Sequence, residues 1–295
     1  MADTLRVGLV SFGTAAWEID TLRHHGLDRD LGGKLETVDL ADPAAGEIAL
    51  QAGGVDAIVT DWLWVSRQRN AGQRIVFVPH STALGEILVP ADSPLTGLKD
   101  LAGKHVGIAG GPLDKSWLLL RAYNPDVTQT VQAQYGAPPL LSQELAKGRL
   151  DAVLTFWPFA ARLEAQGFRR LASMAEVMDG LGFAPPVPMI GYAFSETWIT
   201  AHADLARRFL AALDKADDLM RGEAEWTRLK PLTGARDDAT LAALRQRFMA
   251  GLLTRPAAPE AAEQLYRVLA QVGGTGLTGG APSVAPGTFW RDAPP

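Results

Sequence analysis

A short phrase occurs twice in this chain and limits how the chain can fold. Residues 56–62 read D-A-I-V-T-D-W, and residues 151–157 read D-A-V-L-T-F-W. Each copy follows a helix-like segment that ends in glycine, has the apolar character of a buried strand, and delivers a threonine and then a tryptophan. Ligands of open α/β sheets bind beyond the carboxyl ends of the strands. The repeat therefore predicts two similar α/β lobes that each point a tryptophan at a shared cleft, with ordinary core tryptophans as the alternative.

The composition excludes several classes of function. A chain of 295 residues with 47% hydrophobic and 21% charged residues suits one large or two medium folded domains. The net charge of -5 gives no basic surface, so we expect no nucleic-acid partner. No apolar run is long enough to span a bilayer, so we expect no membrane insertion. The absence of cysteine excludes thiolate metal sites and cysteine nucleophiles, and it fits an oxidising compartment.

Apolar runs and helical periodicity alternate along the first two thirds of the chain, as in α/β proteins. Besides the two repeat copies, strands are predicted at 5–10, 34–40, 75–78, 106–109, 131–135, 168–171 and 189–194. Helices are predicted at 15–25, 42–51, after residue 61, and at 113–123, 138–147, 158–166, 195–201, 203–221, 237–251 and 259–272. Residues 86–90 and 182–188 are predicted to be extended crossing segments. The glycine- and proline-rich end, 273–295, is predicted to be a loose tail.

Two turns between a strand and a helix are suited to binding. Residues 11–14 offer a hydroxyl, an aromatic ring and free N–H groups at a helix N-terminus. Gly110 and Gly111 allow a ligand to approach the backbone closely. Lys115 follows in the next helix, where a cation opposes the helix dipole. We expect Lys115 to be there for an anion, with a solvated lysine as the alternative.

No catalytic or metal-binding motif is present. The sequence contains no H-E-x-x-H, G-x-S-x-G, dinucleotide fingerprint or metal-spaced cluster of His and Asp, so we expect no catalytic residue, cofactor or metal. The five histidines show no spacing pattern, although a Ser/His/Asp set assembled only in three dimensions stays open. Aromatic residues, hydroxyls and glycine turns at strand ends favour binding over bond-making.

Several phrases carry a resemblance to a known family. They are V-G-L-V-S-F-G-T at 7–14, A-G-G-V-D-A-I-V-T at 52–60, L-T-G-L-K-D-L-A-G-K-H-V-G-I-A-G-G at 95–111, E-L-A-K-G-R-L-D-A-V-L-T-F-W-P at 144–158 and P-M-I-G-Y-A-F-S-E at 188–196. The chain resembles substrate-binding proteins of the nitrate/sulfonate/taurine (NitT/TauT) type, which are similar to the NMT1/THI5-like proteins.

The resemblance implies an α/β type II periplasmic-binding-protein fold, with two three-layer lobes joined by two crossover segments. Lobe 1 would comprise residues 1–86 and 189–295, and lobe 2 would comprise residues 87–188. The protein would be a periplasmic monomer, its leader already removed, that delivers a small-molecule ligand to an ABC transporter permease without catalysis. A non-cysteine enzyme similar to menaquinone-pathway dehydratases and a cytosolic ligand sensor are the alternatives.

The resemblance also implies a ligand site in the loops after the first strand, after each repeat strand and at the glycine turn, and in the returning strand. With His80 at another strand end, the candidate residues are Ser11, Phe12, Gly13, Thr14, Thr60, Asp61, Trp62, Trp64, His80, Gly110, Gly111, Lys115, Ser116, Trp117, Thr155, Trp157 and Tyr192.

The number of tryptophans in that set points to a flat ligand. Trp62, Trp64, Trp117 and Trp157 would form a stacking clamp for a planar, conjugated molecule. Lys115, with Arg162 or Arg121, would neutralise its carboxylates or sulfonates. The expected ligand is therefore a planar anionic heteroaromatic such as pyrroloquinoline quinone, with aromatic sulfonates or carboxylates and thiamine-type pyrimidines as alternatives.

Overall fold

The computed structural model describes residues 3–11, 13–253 and 259–291. The strands are β1 (Thr4–Val10), β2 (Lys34–Leu40), β3 (Ala57–Asp61), β4 (Ile75–Ser81), β5 (Gly85–Val89), β6 (His105–Ala109), β7 (Gln132–Gly136), β8 (Ala152–Phe156), β9 (Arg169–Ser173) and β10 (Ile190–Ser195). The helices are α1 (Ala15–His24), α2 (Pro43–Gln51), α3 (Trp62–Asn70), α4 (Lys115–Tyr123), α5 (Pro125–Thr128), α6 (Pro138–Ala146), α7 (Trp157–Ala165), α8 (Met174–Gly180), α9 (Glu196–Ala201), α10 (Ala203–Met220), α11 (Glu223–Thr233), α12 (Asp238–Gly251) and α13 (Pro259–Thr278), the last interrupted at Gly274.

The strands form two five-stranded mixed sheets. Sheet A has the order β2-β1-β3-β10-β4, in which β10 is antiparallel to both of its neighbours. Sheet B has the order β7-β6-β8-β5-β9, in which β5 is antiparallel to both of its neighbours. The chain therefore passes between the sheets twice, after β4 and before β10, as the predicted two-crossover fold requires.

The aspartate of each repeat copy has the same structural role. Asp56 Oδ2 accepts a hydrogen bond of 2.9 Å from the backbone N–H of Arg6, at the start of β1. Asp151 Oδ2 accepts one of 2.8 Å from the backbone N–H of His105, at the start of β6. In both sheets this carboxylate ties the repeat strand to its parallel neighbour. The D-A part of the phrase is therefore a scaffold element.

The predicted strands and most helices are found within a few residues of their predicted ends, but three helices were not predicted: the single turn α5, and α8 and α11. Helix α8 begins with a capping box, in which Ser173 Oγ and the Glu176 carboxylate bond each other's backbone N–H groups. That S-x-x-E spacing is visible in the sequence and would have identified the helix. Helix α11 contains Pro231 near its end, which obscures its periodicity. Residues 86–90, predicted to be only an extended crossing, largely coincide with β5 of sheet B.

The prediction of a loose tail from residue 273 is wrong as far as residue 291. The backbone N–H of Phe77 donates to the carbonyl of Thr288 at 2.7 Å, and the N–H of Trp290 donates to the carbonyl of Phe77 at 2.9 Å. The ring of Phe289 packs edge-on against Phe77 and tilted against Trp62, with centroids 5.9 and 6.0 Å away. The tail is held because it covers an apolar edge of sheet A; residues 292–295 lie outside the described part.

The last helices contact both halves of the molecule. Helix α12 packs on α7, which follows β8 of sheet B, and α13 packs on both α3 and α4. Arg247 of α12 lies 2.8 Å, Nε to Oε1, from Glu86 of β5. The lobe boundaries given above remain a prediction. None of the helices in the described residues is long and apolar enough to cross a membrane.

Candidate functional site

A cavity of about 370 Å³ lies where the strand ends of the two sheets face each other. Its wall combines residues of the sheet A side with residues of the sheet B side and of α12. The predicted site residues in this wall are Gly13, Thr14, Thr60, Asp61, His80, Gly110, Gly111, Lys115, Ser116 and Trp157. This volume is in the range of small-molecule sites.

The two glycine-containing turns contribute backbone to the wall. Gly110 has a φ of +88°, which favours glycine, and a side chain at Gly111 would meet nothing within 4 Å. Gly13 and Thr14 lie before the first turn of α1 and face the same space. Ser11 is exposed, and its hydroxyl donates to the carbonyl of Leu40 at 3.1 Å outside the cavity wall. Phe12 lies outside the described residues.

Trp157 is the tryptophan of the repeat that faces the cavity. It is half-buried, and its ring meets Trp17 edge-on at 6.0 Å and Phe248 at 6.3 Å. Three phenylalanines complete the aromatic part of the wall: Phe156, Phe159 and Phe248. The cavity therefore has an aromatic side, built from one tryptophan and three phenylalanines.

The predicted clamp of four tryptophans is wrong. Trp62, Trp64 and Trp117 are 0%, 6% and 4% exposed and belong to the hydrophobic core. Trp62 and Trp157 each begin a helix, but the C-terminal residues cover the first of these positions through Phe289. The burial of Trp62, Trp64 and Trp117 thus follows from tertiary packing, which the repeated sequence phrase does not encode.

Thr155 and Tyr192 lie behind the wall of the cavity and not in it. They are 1% and 0% exposed, and the hydroxyl of each has no hydrogen-bond partner among the described residues. Residues in the interior of β8 and β10 point alternately to the two faces of their sheets, so a strand position beside the site need not reach the ligand. The expectation that these two side chains contact the ligand is therefore corrected.

Lys115 is already paired with a carboxylate. Its Nζ lies 3.3 Å from Oδ2 of Asp61, and burial, which alone would lower the pKa of Lys115, is outweighed by Asp61 and Asp114, which raise it. Lys115 is therefore not a solvated surface lysine, and its role toward an anionic ligand stays a prediction. Ser116, beside it, is buried, and its hydroxyl accepts a hydrogen bond of 3.2 Å from the N–H of Gly85.

Acidic residues that sequence reasoning did not select also line the cavity. Asp114 caps α4 by accepting the N–H of Ser116 at 2.9 Å, and burial raises the pKa of its carboxyl. Burial, together with the charge of Asp61, raises the pKa of Glu47 to about 7. Asp114 lies at the start of the predicted helix 113–123 and could have been found as a capping residue, which would have moved the start of the helix to Lys115. Glu18 and Glu47 lie inside helices, where no local signal marks them.

The two arginines proposed as anion partners are not among the described residues that line the cavity. The guanidinium of Arg162 donates to the carbonyls of Pro158 and Thr233, both at 2.7 Å. Arg162 therefore ties α7 to the end of α11. The positive charge that the cavity can offer a ligand comes from Lys115 and from His80, which is hydrogen-bonded to the Glu18 carboxylate.

A larger hollow, of about 780 Å³, adjoins this cavity on the other side of Trp157. It lies between α12 and residues 182–188, and its wall includes Leu253 and Ala261, on either side of the undescribed residues 254–258. We place the candidate site in the smaller cavity, because the strand ends and the two glycine-containing turns converge there.

The comparisons with known proteins decide the family. The family model described as NMT1/THI5 like matches residues 24–224, which is more than half of the chain. The chain belongs to the NMT1/THI5-like family. A search of curated protein sequences gave no significant match.

Solved structures similar to this NMT1/THI5-like protein confirm the fold. The alkanesulfonate-binding protein SsuA from Xanthomonas axonopodis pv. citri, bound to MOPS, is 20% identical with a TM-score of 0.76, over 97% of this chain and 98% of that chain. The periplasmic aliphatic sulphonate binding protein SsuA from Escherichia coli is 19% identical with a TM-score of 0.78, over 99% and 93%.

The desulfurization enzyme DSZB is 17% identical with a TM-score of 0.62, over 93% of each chain. These likenesses confirm the type II periplasmic-binding-protein fold with two mixed α/β sheets, and they show that the fold carries both binding proteins and an enzyme.

Proposed function

We propose that this protein is the solute-binding component of an ABC import system and that it captures a small molecule in the cavity between its two sheets. The observation that carries the proposal is that both sheets contribute to one wall, with Asp61 from one side and Lys115 from the other. Two connections join the sheets, so the halves can close on a ligand by hinge motion and present the closed form to a permease. The two SsuA binding proteins among the similar structures support binding as the function.

We further propose that the ligand has a flat part and an acidic group. The flat part would lie against Trp157 and the phenylalanines of the aromatic side. A sulfonate or carboxylate group of the ligand would replace Asp61 as the partner of Lys115. The same group would accept hydrogen bonds from the backbone N–H groups of the glycine turn at 110–111. The sulfonate binders among the relatives support this class.

The charge of the wall favours a ligand with few acidic groups. Among the described residues the wall contains four carboxylates, those of Glu18, Glu47, Asp61 and Asp114, against Lys115 and His80. A molecule with several carboxylates, such as pyrroloquinoline quinone, would meet more repulsion there than a monoanion. Aromatic monosulfonates and monocarboxylates are therefore the first ligands to test.

The location and partners that follow from this function are also proposals. A solute-binding protein of this kind acts in the periplasm as a monomer and meets a permease after closing. The enzyme alternative retains support from the desulfurization enzyme among the similar structures. A cytosolic ligand sensor is the other alternative.

The test is a binding screen that also measures closure of the two halves and chemical conversion of the ligand. The protein is titrated calorimetrically with aliphatic and aromatic sulfonates and carboxylates, and with the corresponding amines. Small-angle scattering is recorded with and without each ligand that binds. We expect saturable binding by at least one monoanion and a smaller radius of gyration in its presence. Conversion of the ligand, followed by mass spectrometry, would overturn the transport proposal. Binding of amines in place of anions would overturn the ligand class alone.

A further inference from the structure

Three largely buried ionisable side chains meet beside the cavity. Glu18 of α1, His80 at the end of β4 and Asp217 of α10 each offer a ligand atom, and these atoms lie within 4.8 Å of one another. Glu18 is 2% exposed and Asp217 is 8% exposed. Glu18 and His80 line the cavity, whereas Asp217 approaches from behind its wall. The three residues come from distant parts of the chain, so no spacing motif in the sequence could show them.

The hydrogen bonds within this cluster leave one carboxylate oxygen without a partner. His80 Nε2 bonds the carboxylate of Glu18. Oδ1 of Asp217 is buried and has no hydrogen-bond partner among the described residues. Two adjacent buried carboxylates are costly unless a cation or a proton compensates their charge.

We propose that Glu18, His80 and Asp217 bind a divalent transition-metal ion, with Zn²⁺ as the best fit. Two carboxylates and one neutral imidazole balance the charge of such an ion. The ion would in turn compensate the negative charge of Glu18 and Asp217. Carboxylate oxygen and imidazole nitrogen are ligand types that Zn²⁺ accepts, and three protein ligands with a fourth position left for water or a small molecule is a common zinc arrangement.

The position of the site indicates where the fourth coordination position of the metal ion would face. Because Glu18 and His80 belong to the cavity wall, an ion held between them and Asp217 would have its open position toward the cavity. Tyr192, whose ring lies 5.2 Å from that of His80, has a buried hydroxyl without a hydrogen-bond partner in the described part of the chain. Metal binding itself does not rest on the proposed transport function, because it can be measured without any organic ligand.

A metal-free alternative exists for the same residues. Asp217 would carry a proton and donate it to Glu18, and His80 would stay charged. In that arrangement the cluster is a buried polar network, and the protein binds no metal there. Replacing Asp217 with asparagine distinguishes the two arrangements, because asparagine keeps the shape and a donor but provides no anionic ligand.

The experiment is a metal titration of the full chain after removal of metals with a chelator. Zn²⁺ binding is followed by calorimetry, and Co²⁺ binding by its visible absorption bands, which report the ligand geometry. We expect one equivalent to bind the wild type, and we expect Asp217→Asn and His80→Gln each to weaken binding 100-fold or more. Asp218→Asn is the matched control, since Asp218 is the neighbouring residue of α10 and is exposed, paired with Arg221.

Two outcomes would overturn the proposal. One is a wild-type protein that binds neither Zn²⁺ nor Co²⁺. The other is binding that survives Asp217→Asn but is lost in His202→Gln, which would assign the ion to the surface pair of His202 and Asp3. Circular dichroism of each variant, together with the affinity of Asp217→Asn as the nearly isosteric change, separates loss of the site from loss of the fold.

Discussion

Lys115 Nζ lies 3.3 Å from Asp61 Oδ2, and this ion pair joins the two sides of the cavity. Asp61 ends β3 of sheet A and caps α3 by accepting the N–H of Trp64 at 2.9 Å, and Lys115 begins α4 after β6 of sheet B. The two side chains are only 20% and 19% exposed. The pair therefore links the two halves across the cavity, and an acidic ligand would compete with Asp61 for the same cation.

Replacing Lys115 with methionine should destabilise the protein. Methionine keeps most of the apolar stem but leaves the carboxylates of Asp61 and Asp114 without the cation beside them. We expect a loss of about 1–3 kcal/mol in the free energy of unfolding, between the values for surface and fully buried pairs. Denaturant unfolding measures the loss.

Lys147→Met is the control for this change. Lys147 is 52% exposed and lies 3.9 Å from Glu144 on the surface. We expect its removal to cost less than about 0.5 kcal/mol. Equal effects of the two substitutions would contradict a special role for the pair across the cavity.

Trp157→Ala should remove most of the affinity for an aromatic ligand. It deletes the largest ring of the cavity wall and loosens the contacts with Trp17 and Phe248. We expect a loss of at least about 10-fold, since an aromatic pair contributes roughly 0.5–1.5 kcal/mol beyond the area it buries. Titration calorimetry with the ligand found in the screen measures this loss of affinity.

Trp62→Phe supplies the comparison for the aromatic wall. Trp62 is fully buried and is not among the described cavity residues, so its replacement should lower stability and leave the affinity unchanged. Unchanged affinity of Trp157→Ala for the aromatic ligand would contradict the proposal that the ligand lies against the aromatic side of the cavity. A large loss of affinity in Trp62→Phe, in a protein that still folds, would restore the stacking clamp that the structure does not show.

Glu47 should make the stability of the protein fall as the pH rises. Burial, with Asp61, raises its pKa from about 4.5 to about 7 in the folded state, so the folded protein favours the protonated form. Its favourable contribution is fully present below pH 4.5 and is lost between pH 4.5 and 7. Because Glu47 is only partly buried, we expect about 1–2 kcal/mol rather than the full value of the shift.

The test compares unfolding at pH 5 and pH 8 in the wild type and in Glu47→Gln. The variant should lose less stability over this interval than the wild type does. Glu223→Gln, at an exposed glutamate, corrects for the general effect of removing one negative charge. Identical pH dependence of stability in the wild type and in Glu47→Gln would contradict the raised pKa of Glu47.

Phe289→Ala should destabilise the protein although Phe289 is six residues from the C-terminus. Its ring packs against Phe77 and Trp62, and its backbone bridges β4. We expect a loss of about 1–3 kcal/mol, somewhat below that for a fully buried phenylalanine. Leu140→Ala is the control, since Leu140 is 51% exposed. If the tail were loose, both substitutions would have similarly small effects in a thermal melt.

Local sequence patterns were enough to predict the two-sheet architecture and the family. The repeated D-A strand, the glycine turns and the apolar spacing are local patterns, and local hydrogen bonding and strand burial follow from them, as at Asp56 and Asp151. The same patterns identified the strand ends that meet at the cavity.

The tertiary structure alone decided which side chains face that cavity. Trp62 and Trp157 occupy equivalent places in the repeat, but Phe289 covers one and leaves it in the core, while the other stays half-exposed beside Phe248. The pairing of Lys115 with Asp61 and the meeting of Glu18, His80 and Asp217 likewise join distant parts of the chain. Such contacts depend on how whole elements pack, and short-range sequence patterns carry no record of that packing.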